Sequence, residues 1–96
     1  MATIEVSEHA DWKLFENVAQ QLEQGLGGYW KEKFDELDQR YWDLMVGEQT
    51  LTLHLEHYLG ISISVPDHAD EMVQRVRAVV RLCLKFGETE LPRRER

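Results

Sequence analysis

The sequence predicts an α+β protein. It is read as a two-layer sandwich, with a three- to five-stranded antiparallel meander sheet carrying an N-terminal and a C-terminal helix on one face, in the order (β)αββββα. Three observations predict it. Residues 40–65 alternate apolar and polar side chains, the period of a half-buried strand, and glycines interrupt them where turns are needed. The flanking segments, about 7–24 and 67–86, repeat apolar residues at helical spacing. One amphipathic sheet and two amphipathic helices bury their apolar surfaces most simply when both helices cover the same sheet face.

Taken in order, Met1 to Val6 supplies a short edge strand with Ile4 and Val6 as its apolar residues. Ser7 is the expected N-cap of a helix running to about Gln24, whose stripe is Trp12, Phe15, Val18/Ala19, Leu22 and Leu26. Gly25, Gly27 and Gly28 end it. From Tyr29 to Asp38, Trp30 and Phe34 with polar residues between them suit a strand, with Glu36 to Gln39 as its turn. Trp30, Phe34, Leu37 and Tyr41 also fit a helix, supported by Lys31–Asp35 and Glu36–Arg40 pairs. The Gly27-Gly28 break and the alternation that starts at Arg40 favour the strand.

Three strands then follow, and their register can be argued. Trp42, Leu44 and Val46 share one face of the first, as do Leu51, Leu53 and Leu55 on the second and Ile61, Ile63 and Val65 on the third. A two-residue turn at Gly47-Glu48 sets Val46 opposite Gln49, Leu44 opposite Leu51, and Tyr41 opposite His54. A two-residue turn at Tyr58-Leu59 would set Leu55 against Ser62, on opposite faces. A three-residue loop, His57-Tyr58-Leu59, with Gly60 in a left-handed bulge position, pairs Leu55 with Ile61 and keeps the apolar rows aligned. His54 then sits between Tyr41 and Ser62. Pro66 ends the sheet and Asp67 caps the last helix, whose stripe is Ala69, Met72, Val73, Val76, Val79, Val80 and Cys83. Gly87 is expected to stop it. The domain is drawn at residues 1–88, with 89–96 a charged, flexible tail.

Residues Tyr41-Trp42-Asp43 and the run from Leu51 to Ile61, about a quarter of the chain, resemble a family of small uncharacterised bacterial proteins. The resemblance implies a compact cytoplasmic bacterial protein. It brings no active site, so no functional residue is carried over.

At 96 residues the chain makes one domain, and roughly 60–65% of its unfolded surface can be buried at this size. Cys83 is the single cysteine, which excludes an internal disulfide; with no signal-peptide pattern, the reducing cytoplasm is the expected location. No apolar run approaches the ~20 residues of a membrane span. Residues 1–71 hold 15 acids and 4 bases and residues 72–96 hold 7 bases and 3 acids, which gives −11 and +4 within a net charge of −7. The acidic majority argues against nonspecific nucleic-acid binding. Arg75, Arg77, Arg81 and Lys85 read as the solvated side of an amphipathic helix.

His54-Leu55-Glu56-His57 invites a metal reading, but on a strand His54 and His57 point to opposite faces. His54 and Glu56 share a face, yet two ligands are too few for zinc, and His9 or His68 would have to arrive from elsewhere. The alternative is a solvent-facing His54 hydrogen-bonded to Tyr41 or Ser62. Neither a nucleophile elbow nor a phosphate loop occurs in the sequence. No catalytic residue, metal ligand or cofactor is therefore assigned. The expectation is a non-enzymatic interaction module whose uncovered sheet face or edge strand contacts a protein partner or a second copy, as in a homodimer. Its candidate partner-binding residues are Tyr41, Asp43, Met45, Thr52, His54, Glu56, Tyr58 and Ser62. Two alternatives remain: an acidic inhibitor or immunity-like protein that binds a basic partner, and a metal-dependent or hydrolytic enzyme using His54 and Glu56.

Overall fold

The computed structural model describes residues 2–66 and 69–94, with side chains described as far as Leu84. Its elements are β1 (Ala2–Ser7), α1 (Trp12–Leu26), β2 (Tyr29–Asp35), β3 (Gln39–Val46), β4 (Gln49–Glu56), β5 (Gly60–Val65) and α2 (Asp70–Arg94). The five strands form one sheet in the order β1-β5-β4-β3-β2, every neighbouring pair antiparallel. Four strands follow one another as a meander from β2 to β5, and β1 closes the β5 side. The segment 29–35 is thus a strand, and the N-terminal strand pairs as the alternation of Ile4 and Val6 suggested.

Both hairpins adopt the registers that keep one face apolar. Across β3 and β4, Val46 faces Gln49, Leu44 faces Leu51, Trp42 faces Leu53 and Tyr41 faces His54. Across β4 and β5, Leu53 faces Ile63 and Leu55 faces Ile61, while Glu56 meets Gly60. Gly47 opens the first turn at φ 63°, the sign that a primed hairpin turn demands at its first central residue. Gly60 takes the bulge position at φ 93°, and the Leu59 N–H closes that loop by donating to the Glu56 carbonyl at 3.1 Å.

The apolar face is sealed by both helices. Leu44, Leu51, Leu53, Leu55, Ile61, Ile63 and Val65 are buried together with Phe15, Val18, Ala19, Leu22 and Leu26 of α1 and Ala69, Met72, Val76, Val80 and Cys83 of α2. Burying one such aliphatic side chain contributes about 1.5–3 kcal/mol, so this layer outweighs any surface pairing.

Two boundaries differ from the sequence reading. The cap of α1 is Asp11, not Ser7: its Oδ1 accepts from the Lys13 and Leu14 N–H groups at 3.0 and 3.1 Å. Ser7 is retained by β1, where it pairs with Ile61, and its Oγ accepts from the His9 N–H at 3.0 Å. The helix therefore starts only after the chain has left the sheet edge. Gly27, at φ 74°, is the C-cap. At the other end Gly87 does not stop α2, whose backbone continues to Arg94; one glycine in a helix interior costs only about 1 kcal/mol relative to alanine. The proposed Asp67 cap lies outside the described residues.

Both edge strands are irregular. The β1–β5 register shifts between Glu5 and Ser7, and the β2–β3 register shifts between Trp30 and Glu32. In a regular strand Trp30 and Phe34 would share a face. The bulge at Lys31 separates them: Trp30 pairs with Leu44 on the helix side, and Phe34 pairs with Tyr41 on the open side.

The two turn glycines should respond differently to alanine. A Cβ on Gly47 meets nothing within 4 Å, so Gly47→Ala should cost only the left-handed penalty, about 1–2 kcal/mol. A Cβ on Gly60 would run into the Ser7 carbonyl oxygen and lie 2.7 Å from the Glu8 carbonyl carbon. Gly60→Ala should therefore cost clearly more, about 3 kcal/mol or above. Urea unfolding of both variants checks this, and equal midpoints would contradict the close approach of β1.

Candidate functional site

The sheet has two chemically different faces, and the one away from the helices gathers the sequence-predicted residues. Register fixes its positions. One row crosses all five strands: Glu5 on β1, Ser62 on β5, His54 on β4, Tyr41 on β3 and Phe34 on β2. The adjoining row is Thr3, Ser64, Thr52, Asp43 and Glu32. Thr50, Met45 and Tyr29 continue the face on one side, and Glu56 and Gln39 on the other. Seven of the eight predicted residues thus share one surface. Tyr58 does not. It stands at the β4–β5 turn, 85% exposed, its ring edge-on to His57 at 4.7 Å. That turn is tied to the β2–β3 turn by the His57 N–H, which donates to the Asp38 carbonyl at 2.9 Å.

The centre of the face is an aromatic row. Tyr41 stacks on His54 with ring centroids 4.3 Å apart and planes 11° from parallel, and Phe34 lies 6.2 Å beyond Tyr41. The expected hydrogen bond from His54 to Tyr41 or Ser62 is replaced by this stack. The Tyr41 hydroxyl instead donates to Gln39 Oε1 at 2.6 Å, and His54 Nε2 is buried without a partner. Tyr41 and His54 sit directly opposite each other on neighbouring strands, where side chains approach closely enough for ring contact. The carboxylate of Asp43 is oriented by Thr52, whose hydroxyl donates to Oδ1 at 2.8 Å; Thr50 likewise donates to Met45 Sδ at 2.9 Å.

The metal-dependent and hydrolytic readings find little support in this geometry. A nucleophile–base pair of Ser62 with His54 requires a hydrogen bond between them, and His54 Nε2 makes none. Among the described residues no group of three or more His, Cys, Asp or Glu side chains stands close enough to hold a metal ion. His68, one of the two imidazoles that could have joined His54, lies outside those residues. A depression of about 300 Å³ occurs near the start of α2, lined by Gln49, Ala69, Met72 and Arg75 among others, away from the aromatic row. Cys83 is 2% exposed in the core, where burial pushes its thiol above the ordinary 9.0 and a backbone hydrogen bond opposes the shift.

Sequence reasoning missed a second cluster on the helix side. Arg40 shares its strand face with Trp42 and Leu44, so its guanidinium enters between α1 and the sheet. Its Cζ lies 3.7 Å from the centroid of the Trp12 ring and 5.4 Å from those of Phe15 and Trp42. Glu16 and Asp35 flank it at 3.7 and 3.6 Å, beyond hydrogen-bond length, and Nε and Nη1 are buried without a hydrogen-bond partner. Stacking and charge hold this side chain. Lys33 covers the Trp42 ring at 4.4 Å, while the indole N–H groups of Trp42 and Trp30 donate to Asp35 and Glu23 at 2.7 and 3.2 Å. The parity of Arg40 with Trp42 was the available signal. Glu32 and Phe34 were missed on the open face because the bulge at Lys31 leaves no mark in the alternation, whereas Tyr29 precedes the bulge and its parity opposite to Trp30 was available.

Fold and surface together define a small two-layer α+β protein with a helix-free sheet face built of aromatic, hydroxyl and carboxylate side chains. Residues 1–79 match the family model described as "Protein of unknown function (DUF3630)", and the chain belongs to that family. No curated protein and no solved structure matches it. Among the described residues no helix is long and apolar enough to cross a membrane.

Two measurements test these environments. Arg40→Ala removes the stacked guanidinium and should cost about 1–3 kcal/mol in urea unfolding followed by tryptophan fluorescence. A change below about 0.5 kcal/mol would show that the cluster contributes only shape. For Cys83, the folded thiol holds its proton at pH values where the unfolded one has lost it. Its contribution to stability is therefore complete below about pH 9 and falls as pH rises toward the folded value. The stability gap between wild type and Cys83→Ala should narrow on going from neutral pH into that range, and a pH-independent gap would refute the raised thiol.

Proposed function

We propose that the protein is a non-enzymatic interaction module that docks a protein partner on the open sheet face. The observation that carries this reading is the exposure of three aromatic rings on that face. Tyr29 is 62% exposed, Phe34 52% and Tyr41 36%, around the Tyr41–His54 stack. Aromatic side chains with polar neighbours are the residues that protein interfaces enrich. The face is favoured over the edges because β1 and β2 both carry a register shift, and a bulged edge pairs poorly with an added strand. The cytoplasm remains the proposed location, consistent with a single buried thiol.

The acidic-inhibitor reading has its own support in the carboxylates on the same face, and it differs from the general one only in the partner's charge. The enzyme reading has no comparable support, since His54 and Glu56 share a surface without a third ligand among the described residues.

Tyr41→Lys and Met45→Lys place a positive charge on the docking face while leaving the helix-covered core untouched. Both variants should unfold within about 1 kcal/mol of wild type, as surface substitutions do. Each should lose the complex that the wild-type protein forms at native abundance, read as a shift in sedimentation of cell extract. Unchanged sedimentation of both variants beside an unchanged wild-type complex would remove this face from the interaction.

A further inference from the structure

The open face is polarised in charge as well as in shape. Its paired positions hold four carboxylates, Glu5, Glu32, Asp43 and Glu56, and no lysine or arginine among the described residues. The sheet's paired cations, Lys33 and Arg40, stand on the other side, against the rings of Trp42 and Trp12. Lys31 occupies the bulge, without a partner on β3. Paired positions of one charge sign beside exposed rings select their occupant.

We infer that this face binds an arginine-bearing segment of a basic protein; the inference rests on the docking role proposed above and specifies the partner's chemistry. A guanidinium within about 6 Å of a ring centroid is attracted to it, and its planar fork also matches a carboxylate, so arginine satisfies both features of the face at once. Phe34 and Tyr29 offer the exposed rings, and Glu32 and Asp43 form the row between them. Thr52 engages only Oδ1 of Asp43, which orients the carboxylate for a second donor. The molecule already displays this chemistry internally. Arg40 lies over Trp12 at 3.7 Å with Glu16 and Asp35 at 3.7 and 3.6 Å. A second copy is the wrong occupant for this face. A two-fold contact would oppose the same patch to itself, four carboxylates against four, in a chain of net charge −7.

The test titrates the full-length protein with a labelled peptide of alternating arginine and glycine, and in parallel with a lysine–glycine peptide, following amide chemical shifts. The arginine peptide should bind more tightly and shift resonances of Phe34, Tyr41, Asp43 and His54. Its affinity should fall about tenfold between about 50 and 300 mM salt. Phe34→Ser and the pair Glu32→Gln/Asp43→Asn should each weaken binding about fivefold or more, one removing ring surface and the other charge. Glu48→Gln and Glu71→Gln, exposed acids off this face, should leave it within about twofold. Shifts spread over all acidic surfaces, equal affinity for both peptides, or no shifts at all would overturn the inference. So would self-association of the wild type that Phe34→Ser abolishes. If the peptide fails while Tyr41→Lys and Met45→Lys still lose the cellular complex, the docking role stands and the arginine partner falls. If neither variant loses it, both fall.

Discussion

Every aliphatic side chain of β3, β4 and β5 that enters the core must point the same way, and two turns have to deliver that alignment. A slip of one residue in either hairpin would turn a whole row of leucines or isoleucines to water. At about 1.5–3 kcal/mol for each buried side chain, a row of three amounts to about 4.5–9 kcal/mol, comparable to the net stability of a typical domain. Gly47 and Gly60 are where the constraint becomes local. Their positive φ values set the loop lengths that pair Leu44 with Leu51 and Leu55 with Ile61. Gly60 does more than turn the chain. The Ser7 carbonyl approaches so closely that any side chain there would push β1 from the sheet edge. The meander and its fifth strand are thereby coupled through one backbone position.

The same alignment sorts the charges. Because residues alternate, placing Trp42 and Leu44 against the helices also places Arg40 there, and the bulge in β2 brings Lys33 to the same side. Their charges are accommodated by rings and by Glu16 and Asp35 rather than by water alone. The opposite face, defined by the same parity, is left with Glu5, Glu32, Asp43 and Glu56. Its electrostatic character is therefore a by-product of how the core is built. The α1 helix is anchored by this arrangement too, since Phe15 meets the edge of Trp42 at 4.9 Å and Glu23 accepts from the Trp30 indole.

Much of the fold was legible in the sequence because its strongest signals are periodic. The apolar rows from 42 to 65 fix three strands and both registers, and the stripes of both helices match the residues found buried, except that Trp12 is 39% exposed and Val73 and Val79 are half-buried. The strand at 29–35 was recoverable from the glycine break before it and the alternation after it. Other features escaped for physical reasons. A bulge adds one residue without changing composition, so neither Phe34 beside Tyr41 nor the separation of Trp30 from Phe34 could be read. Ser7 looked like a cap, but strand pairing with Ile61 claimed it first, and Asp11 took the role. Seven of the predicted surface residues came together because parity alone groups them, whereas Tyr58 belongs to a turn that parity does not govern.

The open face is not uniform, and that limits where a partner can gain free energy. Toward β1 and β5 it is made of Thr3, Ser62 and Ser64, short hydroxyl side chains that offer little area and bond readily with water, with Glu5 as the carboxylate of that half. Toward β2 and β3 it carries Tyr29, Phe34, Tyr41 and Met45, with Asp43 and Glu32 between them. His54 marks the boundary, its ring covered by Tyr41 and its Nε2 shielded from solvent. Ring surface with little conformational freedom to lose is the part of an interface that returns most affinity per residue. A partner lying across the whole sheet would desolvate the hydroxyl half for small gain. One that lies along the β2–β3 half meets rings and carboxylates together, and avoids desolvating the rest.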